Sequence, residues 1–193
     1  MLTAVRSICP MANSGKSTAK QTLLQSAVAI LAYNPGASLQ DIAAQAGVGR
    51  ATLYRHFSSR EALVRELAME AIAAIDQVTT QVRAQELPAK EALLAFLEGV
   101  VPLGDRFHFL GSESSVYTEP EVSMAYKRQM QELDDFVTTL KKEGVVAPDI
   151  PNAWVSTAID MLIWAGWSAV ESGDIARNDA AKLAYRTLTQ GLS

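Results

Sequence analysis

Residues 38–57 read Ser38-Leu39-Gln40-Asp41-Ile42-Ala43-Ala44-Gln45-Ala46-Gly47-Val48-Gly49-Arg50-Ala51-Thr52-Leu53-Tyr54-Arg55-His56-Phe57, and this stretch decides the fold. Ser38 with Asp41 three residues on has the spacing of a capping box, Asp standing where Glu is usual. It opens a short helix, Leu39–Ala46, whose buried side carries Leu39, Ile42, Ala43 and Ala46. Gly47-Val48-Gly49 is a tight turn. Arg50–His56 forms a second short helix, broken by Phe57-Ser58-Ser59. Two short helices joined by a glycine-containing turn, apolar on the sides that face each other, make a helix-turn-helix. Leu39, Ile42, Ala43 and Val48 are expected to pack against Leu53, Tyr54 and Phe57, with small Ala43 and Ala46 allowing close approach. That leaves Arg50, Ala51, Thr52 and Arg55 on a solvated face at the start of the second helix. Residues there reach base edges in the major groove. Arg can pair bidentately with guanine, and a Thr methyl can meet the thymine methyl. Tyr54, His56 and Arg60 are placed to bond backbone phosphates.

Outward from this motif, helical periodicity continues in both directions and alternating strand patterns are scarce. Leu24, Ala27, Val28 and Leu31 share one face of a helix from about Thr18 to Tyr33, stopped by Asn34-Pro35-Gly36. Ser59, followed by Glu61, caps a longer helix running to about Ala84. Further helices are expected over Ala89–Val101, Pro120–Glu143, Asn152–Ser172 and Asn178–Gln190, with Pro102–Ser112 irregular. The chain is therefore all-α.

The helix-turn-helix resembles the TetR family of one-component transcriptional regulators. The resemblance rests on the quoted stretch, above all Ala46-Gly47-Val48 followed by Leu53-Tyr54-Arg55-His56-Phe57. It extends into Ser59-Arg60-Glu61-Ala62-Leu63 and covers roughly residues 18–65. Gly49 departs from the Ser or Thr often found there, which removes a side-chain cap at a cost of a few tenths of a kcal/mol. The resemblance implies a three-helix DNA-binding domain over 15–62, preceded by a flexible tail over 1–14. A helical ligand-binding and dimerisation domain would follow over 63–193. It implies that Gln40 touches DNA. It also implies a pocket among the inner helices, with Phe107, His108, Phe109, Tyr117, Met130, Phe136, Trp164 and Trp167 as candidates. Each of these is also an ordinary core residue in the bland reading. A mixed aromatic and Met lining suits an apolar or aromatic effector. A small-residue stripe, Val155, Ala158, Ile159, Leu162, Ala165, Gly166 and Ala169, with Ala184 and Leu188 on the last helix, matches the family's dimer interface. Intrachain packing competes for the same surface.

Charge is divided along the chain. The 193 residues carry 17 Lys and Arg against 21 Asp and Glu, a net charge of −4. Residues 1–65 hold seven basic side chains (Arg6, Lys16, Lys20, Arg50, Arg55, Arg60, Arg65) and two acidic ones (Asp41, Glu61). The remainder is acidic. A basic reading head on an acidic body reconciles DNA binding with an acidic total. Lys16 and Lys20 are read as a basic arm near DNA phosphates.

Several other functions find little support. Gly15-Lys16-Ser17-Thr18 ends like a phosphate-binding loop, but position 10 is Pro and no strand precedes it. One cysteine, Cys9, and two distant histidines, His56 and His108, offer neither a disulfide framework nor a metal site. No convergent acid–base or nucleophilic grouping is visible, so no catalysis and no cofactor are expected. The longest uncharged apolar run, Met161–Val170, is far short of the ~20 residues that span a bilayer. The expected molecule is a cytoplasmic homodimeric repressor on a pseudo-palindromic operator, released by a small effector. The competing reading is a small helical enzyme or adaptor that kept the scaffold without DNA binding.

Overall fold

The computed structural model describes residues 18–104, 106, 110 and 113–191. Among these the chain forms eight α-helices: α1 (Ala19–Tyr33), α2 (Leu39–Gln45), α3 (Arg50–His56), α4 (Arg60–Arg83), α5 (Ala89–Val100), α6 (Pro120–Lys142), α7 (Asn152–Glu171) and α8 (Arg177–Gln190). Short 3-10 turns at Val101–Leu103 and Ser114–Thr118 join α5 to α6. No described residue lies in a strand, and no described helix is long and apolar enough to cross a membrane.

Local signals set the helix starts. Thr18 and Gln21 make a reciprocal capping box at α1: the Gln21 N–H donates to Thr18 Oγ1 at 3.3 Å, and the Thr18 N–H donates to Gln21 Oε1 at 3.1 Å. At α2, the Ser38 N–H and hydroxyl donate to Asp41 Oδ2 at 2.8 and 2.7 Å, while the Asp41 N–H returns to Ser38 Oγ at 3.2 Å. Those two donors hold the Asp41 carboxyl below its ordinary pKa. Gly49 caps α3 with no side-chain hydrogen bond. In the turn between α2 and α3, Gly47 has φ +64°, a left-handed conformation that glycine adopts without strain.

Two cores are stacked along α4. The upper one joins Leu23, Ala27 and Leu31 of α1, Leu39 and Ile42 of α2, Leu53 of α3, and Phe57 to Leu63, Leu67 and Ala71 from the first half of α4. Leu110, Val116 and Val122 belong to it as well. The connection before α6 is therefore packed against the head rather than lying apart from it. The lower core joins Leu93 and Leu97 of α5, Val137 and Leu140 of α6, Val155 and Ile159 of α7, and Ala180, Ala181 and Ala184 of α8. Ile75 and Val78, in the second half of α4, pack against it. One 24-residue helix thus reaches from the head to the body.

Close approaches in the body depend on missing side chains. A Cβ on Gly104 would lie 2.4 Å from Cγ and 2.5 Å from Cβ of Trp167, so the turn after α5 sits directly on the indole of α7. Gly104→Ala is expected to destabilise the protein by about 1–3 kcal/mol through overpacking. Thermal unfolding measures this; an unchanged Tm would show that the indole moves aside freely.

Candidate nucleic-acid interface and ligand cavity

The seven residues of α3 divide cleanly by burial. Leu53 and, just past the helix, Phe57 are sealed in the upper core at 0% and 1% exposure. Arg50, Ala51, Tyr54 and Arg55 are exposed, and Thr52 and His56 are half-buried. Tyr54 was expected in the facing core and instead stands out at 43% exposure. Leu53 and Phe57, four residues apart, already fill the inward side, and Tyr54 is rotated about 100° from Leu53. Its ring lies under the Arg50 guanidinium, 5.6 Å from carbon to ring centre, a cation–π contact one turn apart. Gln40 is exposed on α2. The head therefore presents two guanidiniums, a phenol and a carboxamide on rigid short helices, the donor set that phosphates and base edges accept.

Two basic residues from the sequence reading have partners inside the chain. Lys20 on α1 pairs with Glu66 on α4. Arg60 donates from Nε to the Ala37 carbonyl at 3.1 Å, and from Nη2 to the Pro35 carbonyl at 2.6 Å. Nη1 and Nη2 grip the Glu113 carboxylate from both sides. Hydrogen bonding to Glu113 raises the guanidinium pKa further. Placed as a phosphate contact in the sequence reading, Arg60 here bolts the α1–α2 turn to the start of α4 and to the segment before the 3-10 turn at Ser114–Thr118. Lys16 lies outside the described residues.

Breaking this bolt has an expected cost. Glu113→Ala leaves a half-buried guanidinium without its counter-ion, and about 1–3 kcal/mol of stability should be lost. Denaturant unfolding checks it; a midpoint equal to the parent's would mean the pair contributes nothing net.

Beneath the head the body is hollow. A cavity of about 600 Å³ lies between α4, α5, α6 and α7, within the range of small-molecule sites. Ala68, Ile72 and Ile75 of α4, Phe96 of α5, Met130, Leu133 and Phe136 of α6, and Ile159 and Ile163 of α7 form its apolar wall. Leu110 and Tyr117 close it on the side toward the head. Tyr117 packs against Tyr126 in a tilted contact, with ring centres 4.9 Å apart and planes inclined by 58°. Burial raises both phenol pKa values, and the charge of Asp160 adds to the effect.

Several charged and polar groups on the wall are committed to partners in the chain. The Gln129 side chain, 8% exposed, donates to the Ile72 carbonyl and to Asp76 Oδ1, each at 2.8 Å. Arg128 holds the other Asp76 oxygen at 2.5 Å. Arg83 reaches Glu132 at 3.1 Å, and Glu143 accepts the Ala89 N–H at 2.8 Å. Asp160 differs. Its carboxylate opens onto the cavity, and burial alone raises its pKa.

Of the sequence's pocket candidates, Tyr117, Met130 and Phe136 line this cavity, and Trp164 and Trp167 do not. Trp167 is turned onto Gly104 and lines a separate space of about 120 Å³ with Val101 and Pro102. Trp164 is 46% exposed on the outer side of α7. Phe107, His108 and Phe109 lie outside the described residues. Phe96, Asp76, Gln129 and Asp160 were not anticipated. For Asp160 a signal existed: it is the sole charge in the run Ala153–Val170.

The dimer stripe is also redistributed. Val155, Ile159, Gly166 and Ala184 are buried in the chain's own lower core. A Cβ on Gly166 would meet Val101 at 3.3 Å and Ala180 at 3.6 Å, so this glycine serves the packing of α7 on its own neighbours. Ala158, Leu162, Ala169 and Leu188 are half-buried and Ala165 is exposed. The large apolar residues left outside on α7 and α8 are Trp154, Met161, Trp164 and Leu183.

A helix-turn-helix with an exposed basic-aromatic face, mounted on a hollow helical body, is the architecture of a helix-turn-helix transcriptional regulator. Comparison with known proteins agrees. Residues 34–67 match the model of the bacterial regulatory proteins of the tetR family. The chain is 28% identical over 184 residues, 95% of each chain, to the HTH-type transcriptional repressor LfrR of Mycolicibacterium smegmatis. It is 24% identical over 166 residues, 81% of this chain and 82% of the relative, to the HTH-type transcriptional regulator UidR of Escherichia coli. The crystal structure of LfrR in complex with proflavine superposes with a TM-score of 0.74 at 27% identity, over 91% of this chain and 96% of that one. The helix-turn-helix thus matches the tetR family model, and the chain is similar along most of its length to TetR-like transcriptional regulators.

Proposed function

We propose that the protein is a cytoplasmic, ligand-responsive repressor that binds a pseudo-palindromic operator as a homodimer and is released by a small apolar or aromatic effector. The observation that carries this reading is that α4 serves both sites. Its first residues carry the Arg60 bolt beneath the head, and Ala68, Ile72, Ile75 and Thr79 line the cavity. An effector that prefers one position of α4, or of the Glu113–Tyr117 segment gripped by Arg60, biases the orientation of α3. Release follows from the difference in effector affinity between the two arrangements. Two α3 helices related by a two-fold axis would address half-sites ~34–36 Å apart, or a multiple of that. The exposed Trp154, Met161, Trp164 and Leu183 supply apolar surface for a partner copy. The similarity to a repressor crystallised with proflavine supports both the sign of regulation and the aromatic class of effector.

Footprinting on the DNA upstream of the protein's own gene tests the reading. A protected, two-fold symmetric site that is lost on adding effector is expected. A folded dimer that protects no site at moderate salt would overturn it.

A further inference from the structure

We infer that the cavity selects flat aromatic cations, with Asp160 as the counter-ion and the Tyr117 and Tyr126 rings as their aromatic contacts. This rests on the reading of the cavity as the effector site and adds the charge and the recognising residues. Asp160 lines the cavity together with both tyrosines. Among the described residues, no hydrogen bond or ion pair reaches its carboxylate, whereas Asp76, Glu132 and Glu143 are each held by Arg128, Arg83 or a backbone N–H. Among the described residues no cation offsets the effect of burial on Asp160, and desolvation is what raises its pKa. Asp160 is solvent-exposed in the chain, so its carboxylate is open to an incoming cation and would be desolvated against it on binding. The tyrosine faces add attraction of their own, because a π-face favours a cation and stacks with a flat ring. Ile72, Phe96 and Ile159 shed water from the rest of the ligand. Beside the tyrosines Asp160 attracts a cation; a neutral ring of the same shape gains nothing from it, and an anion is repelled.

The test compares proflavine, a planar cation, with acridone, a neutral ring system of similar outline, by fluorescence titration of the full chain. The parent is expected to bind proflavine more tightly than acridone. Asp160→Asn should weaken proflavine by about tenfold or more and leave acridone unchanged, while Asp160→Glu retains part of the preference. Thermal unfolding of each variant confirms that it is folded. Equal proflavine affinity in the parent and in Asp160→Asn, or equal parental affinity for the two rings, overturns the inference. Operator release is read in parallel. Charge selectivity without release would leave the cation site standing and sink the effector reading. Release by proflavine that survives Asp160→Asn unchanged would do the reverse.

Discussion

Replacing Arg50 and Tyr54 together by alanine is expected to weaken operator binding by about 100-fold or more while the fold is preserved. A well-placed contact to a base is worth about 1–3 kcal/mol, so losing two removes about two orders of magnitude or more. Both side chains stand outside the core, and their cation–π contact orients each by the other. Each single variant should therefore cost more than half of the combined loss, because removing one partner frees the other to wander. Exposed helix positions tolerate alanine to within about 0.5 kcal/mol. Fluorescence anisotropy on a labelled operator at fixed salt, beside a thermal melt, separates the two effects. Parent-like affinity in the double variant would remove α3 from the interface.

Phe57→Ala is the second large effect, and it acts through the core. Phe57 is 1% exposed, packs in the cluster that holds α1, α2, α3 and the start of α4 together, and follows α3 directly. Truncating such a ring costs about 3–5 kcal/mol, from lost burial and the void left behind. The lower core shares none of these residues, so the loss falls on the head. Hydrogen exchange should accelerate across α1, α2 and α3, while α7 and α8 stay protected. Operator binding should fall with the head even though no DNA-facing side chain has changed. Uniform acceleration through α8 would mean that the two cores unfold as one unit.

Much of the fold was legible because it is written in short-range chemistry. Ser38 with Asp41, Gly47 in the turn, Ser59 before α4, and the glycines after α6, α7 and α8 each act within a few residues, and the helix boundaries follow them closely. The capping box at Thr18 and Gln21 was equally local and went unread. Other features depended on what packs against what. Tyr54 and Leu53 are neighbours in sequence, and only the position of α1 and α2 decides which is covered. Gly166 and Ala184 have the composition of a dimer stripe, but Val101 and the facing helix of the same chain occupy that side. Arg60 carries the charge of a phosphate contact, and only the fold brings Glu113, 53 residues away, into its fork.

The sequence by itself determined the helices, the helix-turn-helix, and the basic head on an acidic body, because capping, turn geometry and helical periodicity act over one or two turns of chain. The tertiary structure alone decided which face of α3 meets solvent, which aromatics enclose the cavity, and that Asp160 lines it with no partner among the described residues. Those outcomes depend on surfaces far apart in sequence competing for the same space, and packing settles that competition only when all the helices are in place.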